Sequence, residues 1–234
     1  MSESGSSNPP SGTPVKPHYD PSQVPNPETW AQKRRLADAM RRVISDLVLS
    51  DAPEEELSSA ADALEKYADR LASHPRLQRV MGVPEAANAG NVAAFFDQSP
   101  LIGLANPLAP PITIGRSGKM TAEATVTFGS AYEGPPASVH GGYVAAAFDE
   151  VLGYVQSLGG NPGMTGRLIV HYRKPTPLRT ELRFEAQLIR VEGKKIFTEG
   201  QLYANGVLTA EAEGLFVSVP QERLDDLAML RKDR

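Results

Sequence analysis

The stretch HGGYVAAAFDEVLG occupies residues 140–153 of a 234-residue chain and is followed shortly by Gly159-Gly160. It predicts one helix over residues 141–158. Apolar side chains cover a wide arc of this helix, which is typical of a helix enclosed by other elements. The main stripe and its neighbours are Val144, Phe148, Val151 and Val155, with Ala145 and Leu152 beside them. The three successive alanines at 145–147 allow a curved sheet to approach the helix closely.

Strand patterns lie on both sides of this helix. Before it, residues 119–128 alternate between polar and apolar side chains, which is the period of a β-strand. After it, further strands are predicted over about 166–173, 181–191, 195–204 and 207–219. Asn205-Gly206 is a strong type I′ hairpin signal, and Glu192-Gly193 is a weaker turn. A strand, a long helix and an antiparallel run of strands together make an α+β arrangement.

The sequence divides into four parts. Residues 1–27 are rich in Ser, Pro and Gly and are expected to be disordered, because they bury too little apolar surface to offset the entropy of ordering. Residues 28–74 contain two helical patterns, which begin at Trp30 and Pro53 and whose apolar stripes are expected to pack on the core. Residues 75–220 form the main domain and start with an irregular connection over 75–111. Residues 221–234 predict a short charged helix.

The composition excludes several classes of function. The net charge of -4 argues against a nucleic-acid partner, which favours a basic surface. The absence of cysteine removes disulfides, thiolate nucleophiles and cysteine metal sites, and it fits a reducing cytoplasm. The few histidines lack paired ligand spacing, so we expect neither a metal nor another cofactor. No signal peptide and no apolar run of about 20 residues is present, so we expect a soluble protein without membrane insertion.

His140, Gly141 and Gly142 are the first candidates for a functional site. They open the buried helix, where free N–H groups and a partial positive charge meet. Glycine at this point lets a ligand approach the backbone, and such a site suits a carbonyl oxygen that becomes an oxyanion. The alternative is an ordinary loop-to-helix junction in which His140 caps the helix.

Asp149 is the second candidate. It lies four residues after Ala145 and three before Leu152, so it shares a face of the helix with apolar side chains. A carboxylate there is costly unless it is paired or functional. A salt bridge to Arg167 or Arg173 is the structural alternative. The neighbouring Glu150 is turned about 100° away on the helix and is expected to be solvated.

These residues resemble the phenylacetate-degradation (PaaI-like) hotdog thioesterases, whose central-helix signature is similar to HGGYVAAAFDEVLG. GSAYEGPPASVHGG (129–142) and MTGRLIVHYRKPTPL (164–178) also resemble that superfamily, the latter its THEM4/THEM5 branch of acyl-CoA thioesterases. The resemblance covers about residues 99–219. It implies a hotdog fold, in which a curved antiparallel sheet wraps a long central helix, here with extra N-terminal helices.

The resemblance also implies roles for individual residues. The expected activity is hydrolysis of medium- to long-chain acyl-CoA by a homodimer or a dimer of dimers. Asp149 would be the nucleophile or general base, and the Gly141 N–H would be the oxyanion donor. His140 would be an orienting group, and Thr165 would be a polar partner of the carboxylate or of water. Gly142, Arg173 and Lys174 would contact the substrate or its CoA phosphates.

One departure and several alternatives remain. Some hotdog thioesterases carry Asn six residues before the motif histidine, and this chain has Gly134 there. A hotdog dehydratase would show a histidine soon after the helix-borne Asp, but none follows Asp149 until His171. A non-catalytic acyl-CoA-binding module is the main alternative function. The basic face of the first helix is interpreted as solvated surface, with a membrane or CoA phosphates as its alternative contacts.

Overall fold

The computed structural model describes residues 27–75, 97–160 and 163–219. Two helices come first, α1 (Pro27–Leu47) and α2 (Glu54–Ala72). Strands β1 (Thr113–Arg116) and β2 (Thr121–Thr127) and a 3-10 turn (Ser130–Tyr132) precede the central helix α3 (Gly141–Ser157). Four strands follow: β3 (Gly163–Tyr172), β4 (Glu181–Glu192), β5 (Lys195–Ala204) and β6 (Val207–Ser218). The predicted disordered tail and C-terminal helix lie almost wholly outside the described residues.

The six strands form one antiparallel sheet in the order β1-β2-β4-β5-β6-β3. Helix α3 contacts every strand of this sheet, which curves around it. The core between them contains the fully buried rings of Phe128, Phe148 and Phe184. Phe148 on α3 meets Phe184 on β4 edge to face, with ring centroids 5.1 Å apart. The predicted α+β class and the wrapped central helix are therefore confirmed.

Local sequence signals place most element boundaries correctly. The turn between β5 and β6 has positive φ at both Asn205 and Gly206, which is what a type I′ hairpin requires. Gly193 also has positive φ at the tip of the β4–β5 hairpin. Strand β1 was not predicted, because four residues after the Pro110-Pro111 pair are too few to show a strand period. Pro53 caps α2 in an extended conformation instead of starting it.

Among the described strands, β3 forms one edge of the sheet and pairs with β6 alone. Most of its side chains are exposed, and these include large apolar ones: Met164 is 49% exposed and Tyr172 is 55% exposed. Exposed apolar edge strands are avoided in monomeric proteins because they pair with other chains. This edge of the sheet is therefore suited to pairing with a second copy.

Helix α1 docks on the domain through polar side chains, which corrects the expectation that its apolar stripe packs on the core. Trp30 Nε1 and Arg34 Nε both donate to the carboxylate of Asp97, which is 2% exposed. Arg41 donates to the carbonyl oxygens of Leu104 and Asn106. The basic face of α1, interpreted as solvated surface from the sequence, therefore contributes Arg34 and Arg41 to contacts with the domain. The prediction fails because Asp97 and the two carbonyls lie about 60 residues away in sequence.

Helix α2 has no buried residue, so the expectation that it packs on the core is also wrong. Its apolar side chains Leu57, Leu64 and Leu71 are all at least 42% exposed. Among the described residues, no helix is long and apolar enough to cross a membrane.

The ion pair that anchors α1 can be tested by substitution. Asp97→Ala leaves Arg34 partly buried without this carboxylate, and breaking such a pair costs about 3–5 kcal/mol of unfolding free energy. Asp38→Ala is the matched control, because Asp38 pairs with Arg41 but its side chain is 71% exposed. Urea unfolding should show a change below about 0.5 kcal/mol for the control. Equal stability of the two variants would contradict the anchoring role of Asp97.

Candidate active site

His140 caps the N-terminus of α3. Its ring Nδ1 accepts a hydrogen bond from the backbone N–H of Gly142 at 3.0 Å. The backbone N–H of His140 donates to the backbone carbonyl oxygen of Tyr132. Because Nδ1 is an acceptor, the proton of the neutral ring lies on Nε2, and the residue is exposed. The capping alternative is therefore correct as geometry. The backbone donor of Gly142 is already used, so contact of this N–H with substrate would require the histidine ring to release it.

Gly141 offers the open donor of this helix start. Its N–H has no acceptor among the described residues, as expected for the first residue of a helix. Its carbonyl accepts a hydrogen bond from Tyr172 Oη at 2.8 Å. A Cβ at Gly141 would lie 3.3 Å from the Tyr172 ring, so the phenol packs directly against this residue. Tyr172 therefore holds the first turn of α3 from β3, a contact that no sequence signal indicated.

Tyr132 also packs against the first turn of α3, through Tyr143. Its ring meets Tyr143 edge to face with centroids 4.8 Å apart, and its hydroxyl donates to Leu108 O at 3.0 Å. Desolvation raises the pKa of Tyr132 to about 12, with the neighbouring Tyr143 contributing. Tyr132 is therefore a neutral hydrogen-bond donor at every physiological pH.

Asp149 and Thr165 form the second part of the site. Thr165 Oγ1 donates to Asp149 Oδ1 at 2.8 Å, which is one of the two contacts that the family resemblance implied for Thr165. The register of β3 shifts between Thr165 and Arg167, and such a bulge re-aims the side chains beside it. The ion pairs between described residues do not include Asp149, and Arg173 is instead paired with Glu211 at 2.8 Å. The predicted structural alternative for Asp149 is therefore not observed.

The close packing around Gly134 explains why this chain has no asparagine at that position. A Cβ at this position would lie 2.6 Å from the His140 Cα, which is closer than real Cβ contacts allow. An asparagine would therefore displace the loop that carries His140. Water orientation by a side chain at this position is incompatible with the local backbone packing.

The predicted CoA-binding cations lie at the end of β3. The backbone N–H groups of Arg173 and Lys174 both donate to the backbone carbonyl oxygen of Thr209, at 2.8 and 3.0 Å. Both side chains are exposed, and the Arg173 guanidinium binds the Glu211 carboxylate. Lys174 is therefore the more accessible cation for an anionic group.

Glu150 is partly buried, and the interpretation of it as solvated is wrong. Segment 97–112 covers this side of α3, and Ser99 Oγ donates to Glu150 Oε1 at 3.3 Å. Ser99 itself is buried and also accepts the N–H groups of Leu101 and Ile102. Burial, together with the nearby Asp149 charge, raises the pKa of Glu150 to about 7, although the Ser99 hydrogen bond opposes this.

The Gly141 N–H and the Asp149 carboxylate of one chain are too far apart to act on the same carbonyl group. Gly141 and Asp149 are eight residues apart on α3, which places them roughly 12 Å apart along the helix axis. An oxyanion donor and an attacking group must both lie about 3 Å from one reacting carbonyl. The described part of the chain contains no cluster of three His, Asp or Glu side chains that could hold a metal ion. The candidate groups on α3 are the Asp149 carboxylate and the Gly141 backbone N–H.

The shifted pKa of Glu150 makes stability depend on pH. In the unfolded chain the carboxyl ionises near 4.5, and in the folded protein near 7, so the folded state binds more protons between these values. Its contribution to stability is therefore present below pH 4.5 and falls as the pH rises to 7. Glu150→Gln should raise Tm at pH 8 by about 3 °C or more, with a smaller difference at pH 4.5.

Differential scanning fluorimetry at both pH values measures this difference. The control is Glu181→Gln, because Glu181 is an exposed glutamate whose replacement should not shift Tm at either pH. A Glu150→Gln variant that is less stable than wild type at pH 8 would show that Glu150 is ionised and stabilising in the folded protein.

Comparison with known proteins places this geometry in a family. The family model described as "Thioesterase superfamily" matches residues 137–210. Acyl-coenzyme A thioesterase THEM4 of Xenopus laevis is 35% identical over 91 residues, which are 37% of this chain and 40% of that protein. THEM4 of Bos taurus is 32% identical over 93 residues, 39% of this chain and 38% of that protein. This chain thus aligns with only about two fifths of the length of these relatives.

A solved structure gives a match over most of both chains. The crystal structure of a thioesterase superfamily protein is 34% identical, with a TM-score of 0.71, and the match covers 79% of this chain and 94% of that one. The match extends well beyond the central helix, and the two chains share one architecture. The chain, with its wrapped central helix and its His-Gly-Gly helix start, belongs to the thioesterase superfamily.

Proposed function

We propose that this protein hydrolyses the thioester of acyl-CoA to a free acid and CoA. The observation that carries the proposal is the Asp149 carboxylate, which Thr165 Oγ1 orients at 2.8 Å and which no described cation pairs with. A non-catalytic acyl-CoA-binding module would have no need for such an unpaired carboxylate on a helix that contacts the whole sheet. The geometry therefore favours catalysis over binding alone.

The chemistry assigned to Asp149 follows from this hydrogen bond. Thr165 engages Oδ1, so Oδ2 is the atom left to take a proton from water. The water oxygen then attacks the thioester carbon, and the carbonyl oxygen becomes an oxyanion. Collapse of this intermediate breaks the carbon–sulfur bond, and the CoA thiolate takes the proton from Asp149. Direct attack by Oδ2 on the thioester carbon, followed by hydrolysis of the anhydride, gives the same products and uses the same residues.

The Gly141 N–H is the proposed donor to the oxyanion. Its N–H has no acceptor in the described chain, and Tyr172 and His140 fix the turn around it. Because Gly141 and Asp149 are too far apart on one helix, the site is proposed to combine Gly141 of one subunit with Asp149 of its partner. The exposed β3 edge supports this arrangement, since pairing through it brings a second copy beside Thr165.

Further parts of the proposal concern substrate, organisation and compartment. Lys174, and Arg173 on release of Glu211, are proposed to contact the CoA phosphates. The acyl group is proposed to be a medium- to long-chain fatty acyl group, which release of CoA from a panel of straight-chain and aryl thioesters tests. Residues 75–220 are proposed to be the catalytic domain, 28–74 a helical extension, and the cytoplasm the compartment.

Asp149→Asn tests the central assignment. The substitution keeps the size and polarity of the side chain but removes the base, so kcat should fall at least ~100-fold. Binding of a non-hydrolysable thioether analogue should be unchanged. Asp62→Asn, on the exposed face of α2, is the control and should retain full turnover. A kcat of Asp149→Asn within a few-fold of wild type would show that Asp149 has a structural role.

Complementation between subunits tests the shared site. Gly141→Pro removes the N–H at a helix position that tolerates proline, and Asp149→Asn removes the base. Each variant homodimer should be nearly inactive. A purified heterodimer of the two has one normal site and one doubly defective site, so about half of wild-type activity should return.

Gly141→Ala separates the loss of the N–H from steric effects. It adds a Cβ against Tyr172 as proline does, but it keeps the N–H, so it should retain clearly more activity than Gly141→Pro. If purified heterodimers recover no activity, both groups act within one subunit, and the role given to Gly141 fails.

A further inference from the structure

Helix α1 has an apolar stripe that the described part of the chain leaves largely uncovered. The polar contacts to segment 97–106 use one side of the helix, through Trp30, Arg34 and Arg41. The adjacent side carries the α1 stripe, which consists of Leu36, Met40, Val43 and Leu47 at helical spacing. Val43 is 47% exposed and Leu47 is 57% exposed. Docking of α1 therefore buries Ala37 but leaves Met40, Val43 and Leu47 exposed.

Helix α2 has a second apolar stripe. The α2 stripe consists of Leu57, Leu64 and Leu71, with Ala60, Ala61 and Ala68 between them. No residue of the helix is buried in the described chain. Helices in water gain most of their stability from packing of such a stripe, and exposed apolar patches of this kind mark interaction surfaces. The α2 stripe therefore has no covering surface among the described residues.

The charges of the two helices are complementary. Helix α1 has five cationic and three acidic side chains, a net charge of +2. Helix α2 has six acidic and two cationic side chains, a net charge of -4. Arg35 and Arg42 are exposed on α1, and Glu65 and Asp69 flank the α2 stripe. The acidic flanks of α2 disfavour an anionic membrane and favour a basic protein surface.

We propose that α2 of one copy packs on the α1 stripe of a second copy, and reciprocally. The described residues of one copy leave both stripes exposed, and Pro53, extended with ψ at 155°, fixes the direction in which α2 leaves the linker. The exchange covers the α1 stripe and the α2 stripe of each copy, and it places the basic helix α1 against the acidic helix α2. Exchange of a terminal element is a low-cost route to a symmetric assembly. This interface is separate from the β3 edge and does not rest on the proposed hydrolysis.

Engineered cysteines test the exchange directly, because the chain has no natural cysteine. Two differently tagged full-length chains are co-expressed, one with Val43→Cys and the other with Leu64→Cys. These positions lie near the middle of the two stripes, so they come close whether the helices pair parallel or antiparallel. A short bis-maleimide, which spans about the 8–10 Å between packed helix axes, should join the two tags in one covalent product.

The control replaces Leu64→Cys with Ser59→Cys, on the opposite, polar face of α2. The covalent product with both tags should be at least about five times more abundant for Leu64→Cys than for Ser59→Cys, because only the stripe faces the partner helix. Equal yields at the two positions would overturn the proposal. In the double variant Val43→Cys/Leu64→Cys, cross-linking within a single chain would also overturn it, since α2 would then cover its own α1.

A substitution that affects assembly gives a second measurement. Leu64→Glu places a charge in the stripe without changing a residue near Asp149. Sedimentation at low protein concentration should show a lower assembly state or weaker association than wild type, while Lys66→Glu on the polar face should leave association unchanged. Loss of association by both variants alike, or by neither, would contradict helix exchange.

Discussion

The close approach of α3 to the middle of the sheet determines the rest of this structure. Leu152, which is fully buried, lies against two glycines on neighbouring strands: a Cβ at Gly200 would come within 3.1 Å of it and one at Gly214 within 3.3 Å. A Cβ at Gly214 would also meet Thr198 Oγ1 at 2.6 Å. Side chains at these two positions would push the sheet away from the helix. The tight packing between them fixes the helix relative to every strand.

This fixed helix positions the candidate site at its two exposed points. Its first turn projects toward β3, where Tyr172 holds the Gly141 carbonyl, and its middle presents Asp149 to Thr165 on the same strand. Both contacts are made by the edge strand of the sheet. The candidate residues therefore lie beside an open edge of the sheet, which is why the proposed site combines Gly141 of one copy with Asp149 of a second.

Adjacent carboxyl groups on α3 acquire different properties from opposite surroundings. Asp149 accepts a hydrogen bond from the Thr165 hydroxyl on the edge strand β3. Glu150 lies under segment 97–112 and is desolvated. That segment is in turn held by α1 through Asp97. Helix α1 is thus connected to Glu150 on α3 through segment 97–112, by the Arg34–Asp97 and Ser99–Glu150 hydrogen bonds. The apolar sides of α1 and α2 take no part in this connection, which leaves them available for other contacts.

The sequence by itself determined the elements that depend on neighbouring residues: the central helix, the alternating strands, the Asn205-Gly206 turn and the helix start at His140. The pairing of Thr165 with Asp149 came from resemblance to a family, because the two lie sixteen residues apart. Tertiary structure alone decided the presence of β1, the edge position of β3, the burial of Glu150 and the side on which α1 docks. Each of these depends on contact with a segment distant in sequence. Hydrophobic periodicity reports which face of a helix is apolar, but the contacts of Arg34 and Arg41 show that buried polar partners can select a different face.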